Sequence, residues 1–182
     1  MTLTREVALS DDASLIHHSL REPEIFAVLF DRHAPLLHRY AVRRLGPDAA
    51  EDVVADTFLA AFQSRERYDA ARPDARPWLY GIASNVIGKR RRTELNLYRA
   101  YVRTGVHPFY ELEDGVSTLA VNRPLASALL GLKRADRDVL LLVAWADLTY
   151  DEVAQALAIP VGTVRSRLNR ARKKIRETLG AD

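Results

Sequence analysis

The 182-residue chain contains no cysteine. Disulfides and thiolate metal ligands are therefore excluded, and the composition fits a reducing compartment. The opening stretch MTLTREVALSDDASL has neither a basic cap nor an apolar run, so it does not read as a signal peptide. Nowhere does the sequence approach the ~20 consecutive apolar residues that a membrane helix needs. No Gly-rich phosphate loop, nucleophile–base signature, internal repeat or low-complexity tract is present. Histidine is sparse: His33 and His38 are five apart, a poor spacing for two metal ligands on one helix, and His17-His18 is an isolated pair. No metal, cofactor or active site is expected. Excess charge of either sign is also small, with 27 Lys/Arg against 24 Asp/Glu. The net charge is only +3 although the pI is about 9.3, so the basic character is local. With 48% hydrophobic residues the chain can build packed cores. The expectation is a soluble, cytoplasmic protein of one domain or two small ones, without membrane insertion.

The most informative stretch is TYDEVAQALAIPVGTVRSRLNRARKKIRE, residues 149–177. Thr149 and Glu152 form a capping-box pair that starts a helix. Val153, Ala154 and Leu157 supply its buried stripe, and Pro160 suits the opening turn of a second helix. There, Val164, Leu168, Ala171, Ile175 and Leu179 recur at steps of four, three, four and four. Between Arg165 and Arg176 stand seven Lys/Arg and no acid. This is a helix-turn-helix with a cationic second helix. A solvated or membrane-surface basic helix would not need the capped helix and turn upstream. Arg165, Ser166, Asn169 and Arg170 share the face opposite the apolar stripe. Arg and Asn match guanine and adenine edges in the major groove, and Ser and Lys suit phosphates. Thr163, Arg167 and Lys173 join them as candidate duplex contacts.

Helical periodicity prevails elsewhere, so the predicted fold is all-α, with two small helical domains joined by a linker. Residues 1–21 read as a loose leader with a short helix near Ala13–Ser19. A first unit spans 22–95, with helices over about 23–45, 48–64 and from 77 into Lys89-Arg90-Arg91-Arg92. Phe26, Leu29, Phe30, Leu37 and Tyr40 are expected on the inner side of the first helix. Val53, Val54, Phe58, Leu59 and Phe62 are expected inward on the second. Residues 96–124 read as a linker: 96–104 has helical character, and Gly105, Pro108, Gly115 and Pro124 interrupt the rest. Val106, Phe109, Tyr110 and Leu112 are apolar for a free tether and suggest a surface-bound stretch. A second unit, 125–182, holds Leu125–Leu132, Asp136–Ala146 and the helix-turn-helix.

Three strings together, AEDVVADTFLAAFQ (50–63), RPWLYGIASNVIGKRRR (76–92) and PVGTVRSRLNRARKKIRE (160–177), resemble bacterial sigma factors of the sigma-70 family. The resemblance is to the small two-domain extracytoplasmic-function (ECF) type and covers about residues 24–92 and 125–178. It implies a dissociable RNA polymerase subunit that chooses the promoter and helps to melt it, with catalysis left to the polymerase. The partners it implies are core polymerase, through the clamp of the largest subunit and the flap of the second-largest, and promoter DNA. Relatives are commonly held inactive by an anti-sigma factor. A polar face of Glu51, Asp52, Asp56 and Gln63 would bind the clamp, a reading set against plain solvation of exposed acids. Asn85 would hold an unstacked base of the −10 element, with the loop 68–77, including Tyr68 and Arg76, as the wall of its pocket. Lys89, Arg90, Arg91 and Arg92 would neutralise phosphates. Trp78 reads as core packing.

Two positions depart from the family pattern. Gly81 stands where many relatives carry a basic residue, and Lys133 where a proline is common. Ending at Asp182, the chain is expected to lack a covalent C-terminal regulatory domain. The main rival reading is a free-standing helix-turn-helix regulator that binds duplex DNA as a dimer. It accounts for 125–180 but leaves the first two strings without a role. A pure protein-interaction module would not need a base-reading face, and an enzyme lacks its signature.

Overall fold

A computed structural model describes residues 10–104 and 123–180. The expected linker stretch holding Gly105, Val106, Pro108, Phe109, Tyr110, Leu112 and Gly115 lies outside the described residues, as do 1–9 and 181–182. The described chain runs α1 (Asp12–His18), a 3₁₀ turn (Pro23–Ile25), α2 (Phe26–Leu45), α3 (Pro47–Ser64), a second 3₁₀ turn (Arg65–Arg67) and α4 (Arg76–Lys89). It continues with α5 (Arg91–Thr104), α6 (Arg123–Leu130), α7 (Arg134–Trp145), α8 (Tyr150–Leu157) and α9 (Val161–Leu179). Among the described residues there is no strand.

The α2–α3 hairpin forms because Gly46 adopts φ 92°, a conformation glycine reaches at little cost, and Pro47 then opens α3 with φ already fixed. On α3, Ala50, Val53, Val54, Thr57, Phe58 and Ala61 are buried, a spacing of three and four that gives one inward face. Leu59 falls off that face and is 56% exposed, and Phe30 on α2 is 44% exposed. Both were expected inward. The sequence pattern misassigns them because each follows a buried residue, Leu29 or Phe58, while lying about 100° round the helix from the buried stripe.

Three segments differ from their expected course. The stretch read as a loose leader is tied down from Ser10 onward: Leu15 and Ile16 are buried, and α1 packs on α2. The helix expected to run into the basic cluster stops at Lys89, with Arg90 as its C-cap, and α5 begins at Arg91. Finally, α5 forms the helix expected over 96–104, but as part of the packed body rather than of a linker, with Tyr98 buried in the core.

The two units share one hydrophobic core. Helix α4 presents Pro77, Gly81 and Ser84, all buried, with Gly88 at steps of four, three and four. Helix α8 packs on α4 so closely that a Cβ on Gly81 would lie 2.3 Å from the Ala156 carbonyl oxygen. Glycine at position 81 thus has a packing reason. Beside this contact lies a buried ion cluster. Arg44 on α2 donates to Glu94 on α5 (2.5 Å), to the Tyr40 hydroxyl (2.7 Å) and to Asp138 on α7 (2.8 Å). Arg137 on α7 donates to the other Glu94 oxygen at 3.0 Å. These four charged side chains are only 1–8% exposed and balance two against two. Burial opposes the charge on Arg44, but Tyr40, Glu94 and Asp138 hold its pKa well above the ordinary value. Such a cluster carries little net stability as a set. Removing one member strands a buried charge, at about 3–5 kcal/mol.

Lys133, the second departure, caps α7 with φ −62° and ψ 144°. That geometry suits the proline common in relatives, so the lysine leaves the backbone path unchanged.

Candidate nucleic-acid interface

The helix-turn-helix forms as its capping box predicts. The Thr149 hydroxyl accepts from the Glu152 amide at 3.3 Å, and the Thr149 amide donates to the Glu152 carboxylate at 2.7 Å. Ala158 ends α8 in the left-handed region (φ 50°), which turns the chain sharply before Pro160 caps α9. Val164, Leu168 and Ala171 fasten α9 inward. On its outer side Arg165, Ser166, Asn169, Arg170 and Lys173 are exposed, and Thr163 and Arg167 are half-buried. Ser166 donates to the Thr163 carbonyl at 3.0 Å, a contact within the helix. Arg170 is not free as expected: it donates to both Asp136 oxygens on α7 (2.9 and 3.3 Å), and this pairing raises its pKa. Arg165 and Asn169 make no side-chain hydrogen bond among the described residues, so their donors and acceptors face solvent.

The second cluster is built on α4 and the loop before it. Trp78, Ile82, Asn85 and Lys89 follow steps of four, three and four along one stripe, adjacent to the stripe that meets α8. Asn85 and Lys89 are exposed, and Trp78 and Ile82 are half-buried. Trp78 packs against the core as expected but at its edge, with part of the ring open to solvent. Its ring centre lies 4.9 Å from that of Tyr68 at the start of the loop. The Tyr68 hydroxyl donates to the Arg72 carbonyl at 2.7 Å, and burial raises its pKa, which keeps it a neutral donor. Asp69 closes the loop by accepting from the Ala71 amide (3.1 Å) and from Arg72 Nε (3.0 Å). At the loop's end Arg76 donates to Asp74 (2.8 Å) and reaches Glu152 on α8 (3.2 Å), so it bridges the two units. Its pKa is raised by the Asp74 hydrogen bond first.

The basic run is divided in its roles. Lys89, Arg91 and Arg92 are exposed around the α4–α5 junction. Arg90 turns the other way and donates to Asp52 (3.1 Å) and Asp56 (2.8 Å) on α3. The hydrogen bond to Asp56, then that to Asp52, raises its pKa. Glu51, Asp52, Asp56 and Gln63 are all exposed. Among them, Asp52, Asp56, Leu59 and Gln63 lie along one stripe of α3. Sequence reasoning missed Leu59 as a member of this face, although the steps of four, three and four were there to be counted. Glu51 lies on the side of α3 facing α2, where it lines an apolar groove of about 560 Å³ with Phe30, Pro35 and Val54.

Among the described residues no group of three or more His, Asp or Glu is placed to hold a metal ion, and no helix is long and apolar enough to cross a membrane.

The sigma-70 region 2 family model matches residues 29–96, and the sigma-70 region 4 model matches residues 122–175. The ECF RNA polymerase sigma factor SigL of Mycobacterium tuberculosis is 36% identical over 162 residues, which cover 87% of this chain and 90% of that protein. The chain belongs to the sigma-70 family, among its ECF sigma factors. SigW of Bacillus subtilis, another ECF sigma factor, is 29% identical over 174 residues, covering 87% of this chain and 90% of that one. Of solved structures, CnrH in complex with the cytosolic domain of CnrY superposes with a TM-score of 0.68 at 27% identity, over 94% of this chain and 98% of that chain. RpoE of Bartonella quintana, solved with the anti-sigma factor NepR, shares the fold with a TM-score of 0.61 at 22% identity, over 86% and 98% of the two chains. This sigma factor is a specificity subunit of RNA polymerase that directs the core enzyme to promoters in transcription initiation. Its family consists of initiation factors without catalysis of their own.

Proposed function

We propose a division of labour among the residues of this sigma factor. Arg165 and Asn169 read −35 base edges in the major groove, with Thr163, Ser166, Arg167 and Lys173 on adjoining phosphates and Arg170 set in place by Asp136. Asn85 captures a −10 base after the strands part. Trp78 and Tyr68 supply the stacking surface beside it, and the loop 68–75, with Arg76 at the start of α4, walls the pocket. Lys89, Arg91 and Arg92 neutralise the phosphates of that strand. The carrying observation is the α4 stripe, where an exposed amide stands between an aromatic pair and a lysine. A solvated helix face has no reason to leave Trp78 half-exposed.

The α3 stripe of Asp52, Asp56, Leu59 and Gln63, together with Glu51 and the exposed Phe30, docks on the clamp of the largest polymerase subunit, and the second unit docks near the flap of the second-largest. Acids beside unpartnered apolar side chains suit a basic helical partner. The place of action is then the cytoplasm, where polymerase meets DNA. An anti-sigma factor is a further partner in this reading, supported by the likeness to CnrH, which was solved with a bound protein domain.

Promoter opening tests the assignment of Asn85. Asn85→Ala should leave −35 duplex recognition intact and slow opening, and a template pre-melted over the −10 element should restore most of the rate. An equal defect on melted and duplex templates, with no dependence on base identity, would reassign Asn85 to support of the helix.

A further inference from the structure

Asp12 is a charged side chain with little access to water, and nothing in the promoter-reading scheme uses it. It lies in the first turn of α1, far in sequence from the loop before α4, yet it is bonded to that loop twice. The Asp12 amide donates to the Pro73 carbonyl at 3.0 Å, and the Ala75 amide donates to the Asp12 carboxylate at 2.9 Å. The same carboxylate is held from the other side by α2. Arg32 donates to one oxygen at 2.5 Å and His33 Nε2 lies 2.8 Å from the other. A second Arg32 nitrogen donates to the Ser10 carbonyl at 3.1 Å, which fixes the chain entering α1. Asp12 thus joins α1, α2 and the loop at one point.

Apart from Arg76, which opens α4 and reaches Glu152 on α8, the loop's remaining bonds among the described residues are local. Tyr68, Asp69, Arg72 and Asp74 bond within the segment and hold its internal turns. Through Ala75 and Pro73, Asp12 fixes the loop's C-terminal half to the body of the first unit. Ala75 itself is buried, and α4 starts at the next residue with Trp78 two positions further on. A shift of the loop at Ala75 would therefore move the pocket wall relative to Trp78 and Asn85. Aligned hydrogen bonds to a buried carboxylate are short-ranged and directional, so they fix position better than apolar contacts do.

We infer that Asp12 is a positioning residue of the −10 site: it sets the loop 68–75 against the Trp78–Asn85 stripe and so governs discrimination of the captured base. This rests on the reading that the loop walls the base pocket. It gives the stretch before residue 22 a part in promoter choice, although that stretch touches no DNA in the proposed scheme.

The test uses the chain assembled with core polymerase, bound to DNA that is duplex over the −35 element and single-stranded over the −10 element. Affinity is measured for the preferred −10 base and for a changed one. Asp12→Ala should reduce the ratio of the two by about tenfold, the scale of losing a charge-assisted anchor. Asp12→Asn keeps an oxygen for the Ala75 amide and should fall between wild type and Asp12→Ala. Hydrogen exchange at the Ala75 amide should quicken in the same order. Leu45→Ala, a core truncation at the opposite end of α2, supplies the control for stability alone: its melting temperature should fall while its base ratio stays at wild type. A fourth variant with glycine at 70–72 tests the underlying reading. If it keeps full base discrimination, the loop is not the pocket wall. If it loses discrimination while both Asp12 variants keep theirs, the positioning role is wrong. A loss of discrimination in Leu45→Ala equal to that in Asp12→Asn would likewise overturn it, because stability alone would then explain the effect.

Discussion

Arg165 and Arg170 sit on the same outer side of α9 but differ in what they hold before DNA arrives. Arg165 has no hydrogen-bonded partner among the described residues, and Arg170 is bonded to Asp136, whose side chain is only 10% exposed. Arg165→Ala should therefore lose roughly 1–3 kcal/mol of −35 base discrimination with almost no change in melting temperature. Arg170→Ala should weaken −35 binding and also lower the melting temperature, because Asp136 is left without that partner. Equal melting temperatures for the two variants would remove the tether from the account. Lys133 gives a prediction of opposite sign. Its φ already matches proline, so Lys133→Pro should stabilise by about 0.4–1 kcal/mol, read as a rise in melting temperature of about 1–4 °C. A fall would show that the Lys133 amide has a role. Asp12 adds a pH dependence. Burial alone would raise its pKa, but hydrogen bonds from His33, the Ala75 amide and Arg32 outweigh that and hold it below the usual carboxylate value. Its stabilising contribution is complete above about pH 4 and fades as pH falls through the lower native pKa. Urea melts of wild type and Asp12→Asn should therefore converge in acid and separate toward neutral pH.

At the scale of the helix, α3 and α4 each serve two partners from different faces. The outer stripe of α3 carries the acids, yet in the free protein Arg90 covers Asp52 and Asp56. Polymerase docking must displace or share that arginine. Reversing the charge at Asp52 and Asp56 should weaken competition for core polymerase while leaving −35 discrimination by the assembled holoenzyme unchanged. Arg90→Ala should leave core binding equal or stronger. These pairs are exposed, so their intramolecular strength is small and salt-sensitive. A stronger core affinity in the charge-reversed protein would dismiss the acidic face.

How far these elements were readable depended on whether a local rule decided them. The capping box at Thr149, the Gly46-Pro47 break and the α9 stripe from Val164 to Ile175 follow from nearest-neighbour chemistry and stand where expected, whereas Leu179 at the end of that stripe is exposed. Leu59 and Phe30 were misjudged because hydrophobicity alone does not separate a core residue from a docking one. The partners of Arg170, Arg90 and Asp12 lie 20 or more residues away in sequence, several of them on other helices. No periodicity signals such pairs. Gly81 was read only as a missing cation, since its use depends on a carbonyl from a helix 75 positions later.

For the whole molecule, the consequence is that the two units, read from sequence as small domains joined by a linker, pack on a common core. Gly81 against Ala156 and the Arg44–Glu94–Arg137–Asp138 cluster form the seam. The −10 stripe lies beside that seam on α4, so closing the units does not bury Asn85. Gly81→Leu cannot fit against the Ala156 carbonyl without a shift costing about 1–3 kcal/mol, or separation of the units. Small-angle scattering should then show a larger radius of gyration for the free protein. Promoter-specific transcription should persist, because the seam reads no DNA. A large fall in transcript yield from unchanged start sites would show that the closed packing is retained in the working complex. The central claim, that this chain confers promoter choice on core polymerase, is tested most directly by transcription from a promoter library with core enzyme alone, with the chain alone bound to duplex DNA, and with both together. The account predicts defined start sites, sharing −35 and −10 sequences, only when chain and core are combined, and no sequence-specific duplex binding by the chain alone. Specific binding of duplex DNA by a dimer of the chain, with polymerase start sites unchanged by its presence, would contradict it.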